Sequence, residues 1–257
     1  MTESPVPAFD LTGRVVIITG ASSGLGVEFA RALDRAGARL ALTARRADRL
    51  EALASELTDS LPFPADLTRE DEIDGLVSAV QGEFGRIDGL VNNAGITNVV
   101  PALQEGLADF RRVLETNLVA PFAASQRVAR SMRETETAGS IVNIGSIVGQ
   151  QALAALPEAS YAASKGGLAA LTRELATQWA RYGIRVNAIA PGGFSTEMTG
   201  DVWEPQGALG GYIDGRVPLR RSGRAGELNS MLLALLDHST SYMTGQVIAV
   251  DGGMSAC

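Results

Sequence analysis

The stretch Val15 to Gly26, VVIITGASSGLG, constrains the fold more than any other part of the 257-residue chain. A β-branched apolar run, Val15 to Ile18, passes into the glycine-rich turn TGASSGLG, Thr19 to Gly26. Beyond it Phe29, Ala30, Leu33 and Ala36 recur at spacings of three and four, the stripe of a helix lying on a sheet. Glycines between a first strand and a first helix let the backbone turn tightly and approach a ligand, while free N–H groups at the helix start offer positive partial charge to a phosphate. The plain alternative is a tight strand-to-helix turn without a ligand.

Further short apolar runs, Leu40 to Leu42, Leu90 to Val91, Ile141 to Ile144, Val186 to Ile189 and Val247 to Val250, are separated by longer segments of helical period. Strand alternating with helix predicts an α/β chain: a single-domain, Rossmann-type, doubly wound parallel sheet of about seven strands with helices on both faces. The seventh strand, around Leu61 to Ala65, is weakened by Pro62 and Pro64. No internal repeat or linker divides residues 1–257, so one domain is expected, with a tail over 1–10. The glycine-rich stretch at about 192–216 reads as irregular, a mobile flap over a site.

The formal net charge of −7 provides no basic footprint for nucleic acid or an anionic membrane, so a small-molecule substrate is expected. The opening residues MTESPVPAFD lack a basic-then-apolar leader pattern, and no apolar run reaches about 18 residues, which reads as a cytoplasmic setting. Cys257 is the only cysteine, so neither an intramolecular disulfide nor a thiolate metal cluster is expected.

An acid about 20 residues beyond the glycine turn would bind a ribose 2′-hydroxyl, whereas an arginine there accommodates a 2′-phosphate. The second strand ends in Thr43, Ala44, Arg45 and Arg46, with no acid before Asp48. NADP(H) is therefore the preferred cofactor and NAD(H) the alternative; the plain reading is a pair of solvated charges. Gly20, Ser22 and Gly24 also match the G-x-S-x-G elbow of serine hydrolases, with Ser22 as nucleophile. That reading depends on His238, the only histidine.

Tyr161 and Lys165 lie four apart in the helical segment SYAASKGGLAALTREL, on one face and one turn apart. An ammonium beside a phenol stabilises the phenolate and lowers its pKa from about 10, which makes a usable acid/base. Lys165 is moreover the only lysine among the 22 basic residues.

Taken together, these motifs resemble the short-chain dehydrogenase/reductase family along nearly the whole chain, in particular its NADP-preferring 3-oxoacyl reductase-like members. TGASSGLG is similar to its cofactor turn, NNAG (Asn92 to Gly95) to its fourth-strand motif and YAASK to its catalytic helix; APGGFST (Ala190 to Thr196) and DGG (Asp251 to Gly253) resemble later signatures. The resemblance implies hydride transfer between a nicotinamide and a carbonyl or secondary alcohol. Tyr161 would be the general acid/base, Lys165 would hold the nicotinamide ribose, Ser146 would hydrogen-bond the substrate carbonyl and Asn117 would complete a water-linked relay. For the cofactor it implies the turn residues Gly20, Ser22, Ser23, Gly24, Leu25 and Gly26, then Arg45 and Arg46, and Asp66 and Leu67 at the adenine. Asn92, Ala94 and Gly95 would line the binding strand, and Pro191, Gly192, Phe194 and Thr196 the nicotinamide wall. It also implies a homotetramer or homodimer built on the helices carrying Asn117 and Tyr161. Ser23 departs from the pattern, standing where many NADP-binding relatives carry a basic residue.

Gln150, Gln151, Leu153, Phe194, Met198, Trp203 and Tyr212 are candidates to line a largely apolar substrate pocket, with Gln151, Met198 and Trp203 foremost. The competing function class is a catalytically silent dinucleotide-binding regulator or scaffold, since a fold does not by itself imply turnover.

Overall fold

The computed structural model describes residues 9–153, 155–197, 199–203, 206–207 and 209–256. Seven strands, β1 (Val15–Thr19), β2 (Arg39–Ala44), β3 (Ser60–Pro64), β4 (Gly89–Asn92), β5 (Ser140–Ile144), β6 (Arg185–Pro191) and β7 (Val247–Val250), form one parallel sheet in the order β3-β2-β1-β4-β5-β6-β7. The helices are α1 (Leu25–Arg35), α2 (Ala47–Glu56), α3 (Glu70–Phe84), α4 (Leu107–Leu114), α5 (Ala120–Glu134), α6 (Ala159–Trp179), α7 (Gly210–Arg216) and α8 (Asn229–Leu236). Among the described residues no helix is long and apolar enough to cross a membrane.

Parallel neighbours need crossover connections, so both sheet faces are covered. Alternation within β1 shows this. Val16 and Ile18 belong to one apolar cluster with Phe29 and Leu33 of α1 and Leu232 of α8. Val15 and Ile17 join the other, with Leu76 of α3, Val128 of α5 and Leu175 of α6. The proline-bearing strand forms because β3 is the sheet edge and pairs with β2 alone, where missing N–H donors cost no ladder bond to a second neighbour. Strand order reverses at β1 and β4, which opens a crevice beyond their carboxyl ends.

The stretch expected to be irregular is partly helical: a 3₁₀ turn covers Gly200–Trp203, and α7 follows. Trp203, Leu209, Ile213 and Val217 are buried in a third apolar cluster with Ile147, Val148 and Leu153 from the segment after β5. Glycine is misleading here. Gly193 lies so close beneath the Trp203 indole that a Cβ would overlap the ring, so the glycine serves packing rather than looseness.

Candidate active site

The crevice starts where β1 and β4 are clamped together. Thr19 Oγ1 accepts the backbone N–H groups of Asn93 (2.9 Å) and Ala94 (3.0 Å), and Asn93 Nδ2 donates to the carbonyls of Thr19 (2.9 Å) and Gly20 (3.2 Å). This contact is why the turn needs glycine: Gly20 has φ +67°, and a Cβ on it would meet Ala94 Cα at 2.8 Å. Gly24 caps α1 without a side-chain hydrogen bond, so among the described residues the cap leaves the first amides of that helix unclaimed by a side chain.

The crevice has a volume of about 760 Å³. Its walls carry Gly20, Ser22, Ser23, Gly24 and Leu25 from the turn, Arg45 and Arg46 after β2, Asp66 and Leu67 after β3, and Ala94 and Gly95 after β4. Ser146, Tyr161, Lys165, Pro191, Gly192, Phe194, Thr196 and Trp203 complete the expected set. Asp66 Oδ1 accepts Thr68 N–H (3.0 Å) and Oγ1 (2.8 Å), and the backbone bond foremost holds its carboxyl below the ordinary range.

Several expectations are corrected. Asn92 points into the core, its Nδ2 donating to Ser125 Oγ (2.9 Å) and Asn143 Oδ1 (2.8 Å), and Asn93 stands on the wall in its place. Gly26 lies behind the turn, packed against the Gly20 carbonyl, and Gln151 is not on the wall, where Val148, Leu153, Leu156 and Val202 supply apolar surface. Met198 lies outside the described residues. The hydrolase arrangement does not form: Ser22 Oγ accepts from Arg46 Nε at 3.2 Å, while His238 lines a separate cavity with Arg14 and Arg185.

At the far end, α6 presents Tyr161 and Lys165 together, with the Lys165 ammonium 5.5 Å from the phenol ring centre. Tyr161 and Ser146 both face the crevice, and Ser146 caps the 3₁₀ turn Ile147–Gly149 by accepting Val148 N–H at 3.3 Å. Lys165 Nζ donates to the Ile144 carbonyl at 2.7 Å. Asn117 is fully buried in a π-helical turn, Glu115–Val119, between α4 and α5. Its Oδ1 accepts Ile96 N–H (2.8 Å), and its Nδ2 donates to Ile96 O (2.8 Å) and Ser164 Oγ (3.1 Å). It therefore joins the loop after β4 to α6 one residue from Lys165, behind the wall rather than on it.

The spacing of Tyr161 and Lys165 led us to expect a lowered phenol pKa; the structure raises it. Burial penalises the phenolate, and the Glu158 carboxylate adds like-charge repulsion, against an opposing bond from Ser146. Burial also pushes the Lys165 ammonium down to about 8. Glu158, three residues before Tyr161, is half-buried on the wall and accepts from Thr97 Oγ1 at 3.2 Å. Burial raises its own pKa. Nothing in the sequence singled it out.

A parallel sheet with its crevice at the strand-order reversal, a glycine turn, and a Ser146–Tyr161–Lys165 cluster at one end define a dinucleotide-binding oxidoreductase. The chain belongs to the short-chain dehydrogenase/reductase family: the family model described as "Enoyl-(Acyl carrier protein) reductase" matches residues 20–255. It is 34% identical over 256 residues to 2-dehydro-3-deoxy-D-gluconate 5-dehydrogenase from Formosa agariphila, covering 98% of this chain and 96% of that one. A short-chain type dehydrogenase/reductase from Mycobacterium marinum superimposes with a TM-score of 0.92 at 36% identity, over 97% of this chain and 98% of that one. A gluconate 5-dehydrogenase from Burkholderia cenocepacia J2315, in complex with NADP and tartrate, superimposes with a TM-score of 0.89 at 31% identity over 97% and 98% of the two chains.

Proposed function

We propose that the protein is an NADP(H)-dependent oxidoreductase that interconverts a small carbonyl compound and its secondary alcohol, with Tyr161 as general acid and base. The observation that carries this reading is the cluster itself: a phenol and the Ser146 hydroxyl, beside a buried ammonium, at one end of a crevice whose other end is a tight glycine turn and two arginines.

The residues fit a dinucleotide. The uncapped start of α1 and the turn from Gly20 can approach a pyrophosphate, Asp66 and Leu67 flank the adenine position, and Arg45 and Arg46 offer guanidinium groups to a 2′-phosphate. Pro191, Gly192, Phe194 and Thr196 supply the nicotinamide wall. When bound, the nicotinamide supplies or receives the hydride. The protein supplies position and a proton: Ser146 Oγ orients the substrate oxygen, and Tyr161 Oη donates to it. Because the phenol pKa is raised, Oη is protonated at neutral pH, the form that carbonyl reduction requires. NADP in the B. cenocepacia structure supports the cofactor assignment, and the sugar acids named for two relatives support a hydroxyl-bearing substrate. Exposed Leu107, Val119 and Phe122 on α4, the π-helical turn and α5 support homo-oligomer formation through those elements.

The test is NADPH oxidation against ketoses, keto acids and diketones, and NADP⁺ reduction with the matching alcohols. Tyr161→Phe should lower turnover by roughly 10²- to 10⁴-fold while the NADPH dissociation constant changes little. A variant that keeps most of its turnover removes Tyr161 from the proton step.

A further inference from the structure

At the β2 end of the crevice, two arginines and two serines gather around one carboxylate. Arg46 donates through Nε to Ser22 Oγ (3.2 Å), through Nη2 to Ser23 Oγ (2.7 Å) and through Nη1 to Glu197 Oε1 (2.6 Å). Arg49 Nη1 donates to the second oxygen, Glu197 Oε2, at 2.7 Å. Each carboxylate oxygen thus takes one guanidinium, with the hydroxyls of the glycine turn alongside. Planar guanidinium forks and hydroxyl donors are also what a phosphate monoester selects. Arg46 moreover reaches back over Ser23, the position that lacks a basic residue of its own. Glu197 comes from the segment after β6, 151 residues from Arg46, and its charge is secured by the Arg46 hydrogen bond and then that of Arg49.

We propose that Glu197 is an intramolecular stand-in for the cofactor 2′-phosphate: braced by Arg49, it takes the Arg46 guanidinium that this phosphate needs, so the two anions compete. This rests on the NADP(H) reading above. A nucleotide ending in a 2′-hydroxyl makes no claim on the pair and leaves the clasp closed. The neighbouring Thr196 sits 3.5 Å from where a Gly24 Cβ would stand, so the clasp also holds the start of the segment after β6 against the glycine turn. Arrival of a 2′-phosphate therefore removes a tether between Glu197 and the glycine turn. Glu197 would thereby set the NADP(H)-over-NAD(H) ratio below what the arginines alone could give.

The test needs no substrate. Dissociation constants for NADPH and NADH are measured by nicotinamide fluorescence on the full-length wild type, Glu197→Gln and Arg46→Ala. Glu197→Gln should tighten NADPH binding roughly threefold to tenfold, the scale of one or two exposed ion pairs, and move NADH by less than about twofold. Unchanged or weakened NADPH binding, or equal tightening of both nucleotides, overturns the stand-in. The cofactor reading fails separately, if the wild type binds NADH more tightly or if Arg46→Ala leaves the NADPH/NADH ratio where it was.

Discussion

The two ends of the crevice carry charge in opposite ways. At the β2 end, the side chains of Arg46, Arg49 and Glu197 are 38%, 46% and 51% exposed. At the α6 end, Lys165 is 5% exposed and Asn117 fully buried, each held by hydrogen bonds to backbone atoms. Exposed ion pairs are screened by water and salt, so removing one changes affinity in small steps. A buried polar group that loses its partner leaves another unpaired, and that cost is large. On the function proposed above, cofactor selectivity would therefore be tunable, while the Tyr161–Lys165 cluster would be close to all-or-none.

The largest test of that contrast is Lys165→Arg. The chain uses arginine for every other basic position, so composition alone would favour the exchange. Space does not: Nζ is buried, 2.7 Å from the Ile144 carbonyl and 3.7 Å from where a Gly95 Cβ would stand, and a planar guanidinium exceeds that room. We expect turnover to fall by about 10³-fold, with a loss of thermal stability. Lys165→Met should lose as much turnover with a smaller loss of stability, because burial already disfavours the ammonium even though the Ile144 carbonyl loses a donor. The pH dependence has a definite sign. With a folded pKa near 8 and an ordinary value of 10.5, the ammonium penalty is complete below about 8 and is relieved as pH rises between the two. The melting temperature of wild type relative to Lys165→Met should therefore rise across that window. An active Lys165→Arg enzyme would erase the difference between the two ends.

Asn117→Ala is the next step down. It strips partners from both backbone groups of Ile96 and from Ser164 Oγ. A stability loss of about 2 to 4 kcal/mol in denaturant unfolding is expected. Turnover should drop by about a hundredfold as the loop after β4 and α6 lose their register. A loss confined to nucleotide affinity would place Asn117 with the tunable end instead.

What could be read from the sequence follows the same division. The glycine turn, the strands and the Tyr161–Lys165 pair are local patterns, and each stands where its spacing placed it. Glu197 and Arg49 become a unit only through a contact across 148 residues, which no window reveals. Asn92 and Asn93 are identical letters; β4 ends at Asn92, whose side chain turns to Ser125 and Asn143, while Asn93 lies beyond the strand and turns to β1. Glycines around Gly193 suggest looseness until the indole above them is seen. Spacing also placed an ammonium beside Tyr161 but carried no information on burial, the factor that sets the direction of the phenol shift.

Glu158 lies between the two regimes, half-buried and next to the Tyr161 phenol, and its removal should give the smallest of these effects. Glu158→Gln keeps the side-chain shape and an acceptor for Thr97 Oγ1, but deletes the negative charge that resists phenolate formation. With Tyr161 as the base proposed above, the alcohol-oxidation limb of the kcat/KM profile would rise as the phenol loses its proton, so its midpoint should move to lower pH, by less than about one unit. Burial lifts the Glu158 pKa, and the Glu158 carboxylate in turn raises that of the phenol. A midpoint that stays fixed in Glu158→Gln would mean that solvent screens this pair as fully as it screens Arg46 and Glu197, and the boundary between the two ends would then lie closer to Tyr161.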